Sequence, residues 1–390
     1  MVTLKNNEEL PKIPEGEDNV IRKNRKRKGY FKYLILIIVI LICVKVAYDY
    51  VYVKPSNELE INGSLELDAT SKYDYISFGD NVISCSKNGI TAYNKKGKVK
   101  WNHEISVTAP QLKRSEKKLI VIDTPNKIAY VFDINGNLKN TVNFENECIT
   151  AATNNNGWVT AILKNKGYRA QVAVYNDEGK LQYNWNAANN NVISAELSDD
   201  NKTLAVAQID TVSSPEANGV ISLFDITTDA KPYCGKNTGT NIATYIRWTG
   251  NTLLCVGSTD TFSIDKSGKD LYSYKYPGDM VYFNTKSDSL IVFAINETST
   301  SSTKKTLIYI INNKGNELGH SEIDGDIKNI MISGSNIAVL GQNKLYFIKH
   351  DGKIKKEYTL SKDVINGIMY NDFKSIFVVS GTRSEIISLD

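Results

Sequence analysis

The sequence predicts an all-β fold, an eight-bladed β-propeller preceded by a single transmembrane helix, with a seven-bladed ring as the alternative. Three observations lead there. Beyond about residue 64 the apolar residues come in runs of four to seven, rich in Val, Ile, Tyr and Thr and separated by Asn, Asp, Gly and Lys, which is strand chemistry. A strand-turn-strand phrase recurs along the chain at roughly 40 to 45 residues, the period of a four-stranded blade. One apolar block stands near the N-terminus, directly after a basic cluster.

The organisation that follows is a basic cytoplasmic tail over 1–32, a helix over 33–52 and a propeller over 53–390. The tail is polar, contains Pro11 and Pro14 and shows no apolar period, so it cannot bury a core and is expected to be disordered. The block from Tyr33 to Val44 holds twelve uncharged residues. Lys45 can snorkel, and Val46, Ala47, Tyr48, Tyr50 and Tyr52 extend the block into an interfacial aromatic belt. From Tyr33 to Tyr52 there are 20 residues, about 30 Å as a helix, which matches the hydrocarbon thickness. Six of the seven residues from Arg22 to Lys28 are basic, so the positive-inside rule keeps the N-terminus cytoplasmic and exports the large domain. No small-x-small cleavage site follows the apolar core, and Ile42 before Cys43 does not suit a lipoprotein signal. The expected location is the cell membrane, single-pass, with the C-terminal domain outside the cytoplasm.

The repeated phrase reads AYNKKGKVKW from Ala92, YVFDINGNLKN from Tyr130, AVYNDEGKLQYNW from Ala173, LFDITTDAKPY from Leu223, FSIDKSGKDLYSY from Phe262, YIINNKGNELG from Tyr309 and YFIKHDGKIKKEY from Tyr346. Its turn glycines are Gly97, Gly136, Gly179, Gly268, Gly315 and Gly352; the one double interval arises because the fourth copy carries Thr227-Thr228-Asp229 instead. Upstream of each copy lies an apolar strand, and an eighth, IFVVSG from Ile376, has only EIISL after it. The last unit therefore lacks an outer strand. The segment from Leu59 to Ala69 can supply it, pairing the two ends of the chain and leaving no open edge between first and last blades.

The phrase AYNKKGKVKW resembles the repeats of quinoprotein-like propellers, and ELSDDNKTLAVA, from Glu196 to Ala207, resembles the matching phrase of WD-repeat propellers. The chain as a whole is similar to an uncharacterised membrane-anchored propeller family of low-GC Gram-positive bacteria. These motifs are structural, so the resemblance implies a fold and a location but no activity. The quinoprotein likeness raises the question of a bound quinone, and the sequence departs from it: only the first copy has the repeat tryptophan, Trp101, and no vicinal cysteine pair exists.

Charge and motif content exclude several functions. Of 47 Lys and Arg against 43 Asp and Glu, the surplus lies wholly within residues 1–33, so the large domain lacks the basic excess on which nucleic-acid affinity rests. No nucleic-acid partner is expected. Cys85, Cys148, Cys234 and Cys255 have no metal-ligand spacing, and Cys85 and Cys255 sit inside apolar runs as small hydrophobes. Asp133, Asp225 and Asp265 hold one repeat position, where Asp or Asn starts a turn; Asp199 and Asp200 form a hairpin. His103, His320 and His350 stand in no nucleophile or metalloprotease motif, and Trp158, Trp185 and Trp248 read as packing between blades. No catalytic, cofactor-binding or metal-binding residue is assigned, and no cofactor is expected. The polar loop from Asn296 to Lys305 is the most distinctive surface feature and reads as a tolerated insertion.

The expected function is a binding or scaffolding module for an envelope protein or polymer. The alternative is a transmembrane sensor or assembly factor coupling the outer domain to a cytoplasmic partner. An enzyme acting on cell-wall material ranks third; it would require a cluster of carboxylates in the central channel.

Overall fold

The computed structural model describes residues 33–45, 59–66 and 72–389, apart from 214–215, 229–230, 286–288, 297–303, 361–363 and 382. The chain divides into two units, Met1–Glu58 and Leu59–Asp390. In the first, residues 33–45 are helical. Among the described residues no helix is long and apolar enough to cross a membrane; the predicted span continues to Tyr52, and its part from 46 to 52 lies outside the described residues, as do the tail and most of the loop from Asn296 to Lys305.

The second unit is an eight-bladed β-propeller of eight four-stranded antiparallel sheets. Seven blades are simple meanders, occupying 74–103, 110–143, 148–187, 191–239, 245–275, 280–324 and 329–359. In the eighth, Asn366–Met369, Ser375–Ser380 and Arg383–Ser388 are joined by the N-terminal strand Glu60–Glu66, which takes the outer edge. The pairing runs from Glu60 opposite Ser388 to Glu66 opposite Arg383, with a bulge between Ile61 and Gly63. The predicted closure is therefore the observed one, and the ring has eight blades.

The second strand of each blade is the predicted apolar run, and these strands are buried on both faces: every residue of Val159–Leu163 is buried, as are the first six of Leu290–Asn296. Such a strand cannot alternate polar with apolar residues because neighbouring blades cover both its sides. Eight apolar clusters form among the described residues, one at each junction between adjacent blades. The cluster uniting Val82 of blade one with Ile368, Tyr370 and Phe377 of blade eight seals the ring. Tryptophans occupy these junctions too. Trp101 stacks on Phe132 of the next blade at 6.1 Å between ring centres, and Trp185 packs on Phe224 at 4.9 Å.

The repeat phrase is the turn between third and outer strands. Asp133 Oδ1 accepts hydrogen bonds from the backbone N–H groups of Asn135 and Asn137, both at 2.9 Å. Asn94, Asn176, Asp265 and Asn312 do the same two and four residues on, and Asp225 does so to Thr227. The turn glycines have φ from +73° to +86°, a region that strains any residue with a Cβ. They meet a second demand, because each turn presses on the outer strand of the preceding blade. A Cβ on Gly136 would overlap the Trp101 ring, and one on Gly315 the Tyr272 ring.

Candidate functional site

The eight first strands line a central channel, and at the end where first strands turn into second strands it widens into a cavity of about 460 Å³. Inner strands have one edge on water, and their sequences show it. Pro110–Arg114, Asn191–Leu197 and Tyr245–Thr249 mix buried with open positions where the second strands are uniformly apolar. Arg114, Glu196, Tyr245, Arg247 and Trp248 from these strands line the cavity together with Phe283, Asn284 and Met331, the Phe283 ring lying 5.5 Å from that of Tyr245.

The cavity carries charges of both signs. Arg114 comes from blade two, Arg247 from blade five and Glu196 from blade four, and Lys113 of blade two, although not part of the lining, lies near enough to act on Glu196. Glu196 is half-buried and Lys113 is exposed, although protein atoms crowd around both. Burial pushes the Glu196 carboxyl up to about 7, against the attraction of Arg247 and Lys113 and helped by the nearby charge of Asp199. Burial also lowers the Lys113 ammonium, and burial plus the repulsion of Arg247 brings the Arg114 guanidinium down to about 10. Lys113 Nζ donates to Thr150 Oγ1 at 2.5 Å, Arg114 Nη1 to the Ser115 carbonyl at 3.2 Å and Arg247 Nη1 to the Thr285 carbonyl. The carboxylates lining the cavity are Glu116, Glu196 and Asp199, of which Glu116 and Asp199 are exposed at its rim.

Hydrogen bonds from side chains cross every blade junction, most of them near this end of the ring. Between blades one and two the bond lies nearer the opposite end, where Asp74 Oδ2 accepts from Leu112 N at 2.6 Å. Asn155 Oδ1 then accepts from Glu116 N at 3.0 Å, and its Nδ2 donates to Asp199 Oδ2 at 2.8 Å, which spans blades two, three and four. Trp248 Nε1 donates to the Glu196 carbonyl at 3.2 Å between blades four and five, and Arg247 reaches blade six. Asn284 Nδ2 donates to the Ile330 carbonyl at 2.5 Å and Asn329 Nδ2 to the Gly367 carbonyl at 2.7 Å, and Asn371 returns to the Gly79 carbonyl of blade one. Together these bonds form a hoop that ties each blade to the next around the cavity.

Of the residues singled out in the sequence, Trp248 and Asp199 line the cavity and the others lie elsewhere. Asp133, Asp225 and Asp265 stay in their turns, and Asp200 caps its hairpin through Lys202 N and Ser198 Oγ while its other oxygen pairs with Lys266 of the next blade. His103 is on the outer strand of blade one, hydrogen-bonded to the Gly136 carbonyl at 2.6 Å; His320 and His350 are exposed. Cys85, Cys148 and Cys255 are buried among apolar side chains. Among the described residues no group of three or more His, Cys, Asp or Glu is placed to hold a metal ion. Arg114, Glu196 and Arg247 carry no mark in the sequence beyond a charge within a strand.

A family of unknown function (DUF5711) matches residues 52–389. No curated protein matches the sequence. Among solved structures, the chain is similar to BamB from Moraxella catarrhalis at 12% identity and a TM-score of 0.51, over 85% of this chain and 100% of that one. It is also similar to the C-terminal WD40 domain of Sif2, at 12% identity and a TM-score of 0.59 over 85% and 98% of the two chains. The Dos1 propeller gives 12% identity and a TM-score of 0.53 over 85% and 95%. At such identities the likeness is one of fold.

Proposed function

Because the chain belongs to this family of unknown function, we propose from its own geometry that it is a binding or scaffolding module, anchored in the membrane by the helix near residues 33–52 and displayed outside the cytoplasm. It engages an envelope protein or polymer at the channel mouth. The observation that carries this reading is the closed hoop of hydrogen bonds around an open, mixed polar and aromatic cavity. A rim that is already rigid loses little freedom when a partner docks, so more of the contact energy appears as affinity. Binding is favoured over catalysis because two of the three carboxylates at the cavity stand open to water at its rim, which leaves Glu196 as the one enclosed carboxylate, beside Arg114 and Arg247.

A photo-crosslinking residue placed at Glu116 or Lys117 on the hoop, in the intact membrane, should capture a discrete partner. The same probe at Lys166, on the loop between the second and third strands at the opposite end of blade three, should not. Equal capture from both ends, or none from the hoop, refutes the assignment of the face. For the anchor, a reporter active only outside the cytoplasm and fused after Asp390 should be active, and the protein should stay in the membrane fraction after a salt wash. Recovery of a soluble chain beginning near Tyr48 overturns that part.

A further inference from the structure

We propose that the channel mouth is an oxyanion site, in which a carboxylate or a phosphate-type group enters between Arg114 and Arg247 and displaces Glu196 as the negative charge nearest Arg247. The inference rests on the binding role proposed above and names the chemistry that the partner must present.

Four features of the cavity support it. Two guanidinium groups converge from blades two and five on a space that holds a single enclosed carboxylate, and they repel each other. Among the described residues the Arg114 guanidinium makes one hydrogen bond, to the carbonyl of the adjoining Ser115, although it carries five N–H donors in a planar fork suited to carboxylate or phosphate. The Glu196 carboxylate is the counter-charge, facing Arg247 and Tyr245 from blade five, Lys113 from blade two and Asp199 from its own hairpin. Finally, Asn284, Thr285 and Asn329 surround the mouth with neutral amide and hydroxyl groups, which can orient an anion without opposing its charge.

Glu196 gives the site a pH response. As its carboxyl titrates near 7, the ionised form occupies the field of Arg247 and Lys113 and competes with the incoming anion, whereas the neutral form leaves that field to the ligand. Affinity should therefore fall as pH rises through 7. None of the three histidines lies on an inner strand, so they do not supply this response.

The test is calorimetric titration of the full-length protein in detergent with sodium sulfate and with sodium acetate, each against sodium chloride at constant ionic strength. Both anions keep their charge between pH 6 and pH 8. Saturable one-site binding of either, absent with chloride, is expected at pH 6; preference for sulfate points to a phosphate-type group and preference for acetate to a carboxylate. Affinity should drop about tenfold between pH 6 and pH 8, and E196Q should abolish that drop. R114Q should weaken binding at least tenfold at an unchanged melting temperature, and this variant decides the matter if R247Q fails to fold. Sulfate and acetate indistinguishable from chloride, or R114Q binding as the wild type does, overturns the proposal. Continued capture of a partner from the hoop by R114Q would leave the binding role standing and remove the oxyanion chemistry alone. Anion binding with no face-selective capture would do the reverse.

Discussion

Removing the N-terminal strand should open the ring, and the structure allows the damage to be sized. Glu60–Glu66 pairs along its length with Arg383–Ser388, with one bulge, which amounts to some six backbone hydrogen bonds at about 1 kcal/mol net each. Leu59 and Leu65 pack against the clusters holding Ile387 and Ile386, and partial burial of these four side chains contributes about 4 kcal/mol. Ordering a seven-residue strand costs about 1 kcal/mol per residue. The net loss is then about 3 kcal/mol, which for a domain of this size lowers the melting temperature by about 4 °C. A chain beginning at Ser71 should melt that much below one beginning at Pro55, as followed by circular dichroism. It should also self-associate in sedimentation, because the edge of Arg383–Ser388 is left bare. A Ser71 chain that stays monomeric and melts within 1 °C of the longer one would refute the argument, showing that blade eight is complete with three strands.

Three further outcomes follow from local features. The folded-state pKa of Glu196 lies near 7, above its ordinary value of 4.5, so the native state holds a proton that the unfolded state releases; stability is greatest below about pH 4.5 and declines as pH rises to 7. E196Q should remove that decline, gaining about 2 kcal/mol more over wild type at pH 8 than at pH 5 in urea titrations; a fully enclosed carboxyl with this pKa would give more, and partial exposure screens it. G136A should cost about 3 kcal/mol, since it adds overlap with Trp101 to a strained φ of +86°, whereas G167A, at φ +88° with open space around it, should cost only about 1 kcal/mol; equal losses would show that the turn does not press on its neighbour. D265A should destabilise by about 1 kcal/mol through loss of the bonds to Ser267 and Lys269, and D265N should restore most of it, since Asn serves the same turn at Asn94, Asn176 and Asn312.

Much of the fold was legible because a propeller repeats its local chemistry. The turn starters and glycines are dictated within five residues by backbone geometry, so they recur at the blade period. The fully apolar second strands follow from burial on both faces. Closure could be inferred from a deficit, one outer strand missing at the end and one spare at the start. The site was not legible. Arg114, Glu196 and Arg247 fall on different blades at no shared repeat position, and a strand pattern does not say which charge will face the channel once eight sheets are arranged around it. The hoop is equally hidden: Asn155, Asn284 and Asn329 read as ordinary polar residues near turns, and their partners lie a whole blade away in sequence. Asp199 and Asp200 were read correctly as a hairpin, yet the contacts of both reach neighbouring blades.

The closing strand also sets an order of events during synthesis. Ser384 Oγ donates to the Leu65 carbonyl across 319 residues of sequence, so the first strand to leave the ribosome must wait for the last. At roughly 5 to 20 residues per second that wait is roughly 15 to 60 s. Throughout it the seven meander blades can form and stack in turn, as nearest-neighbour arrays do, while Glu60–Glu66 remains a strand without a sheet. The nascent chain thus spends most of its synthesis as an open arc with a bare edge at each end, and becomes a ring only when its final residues are made.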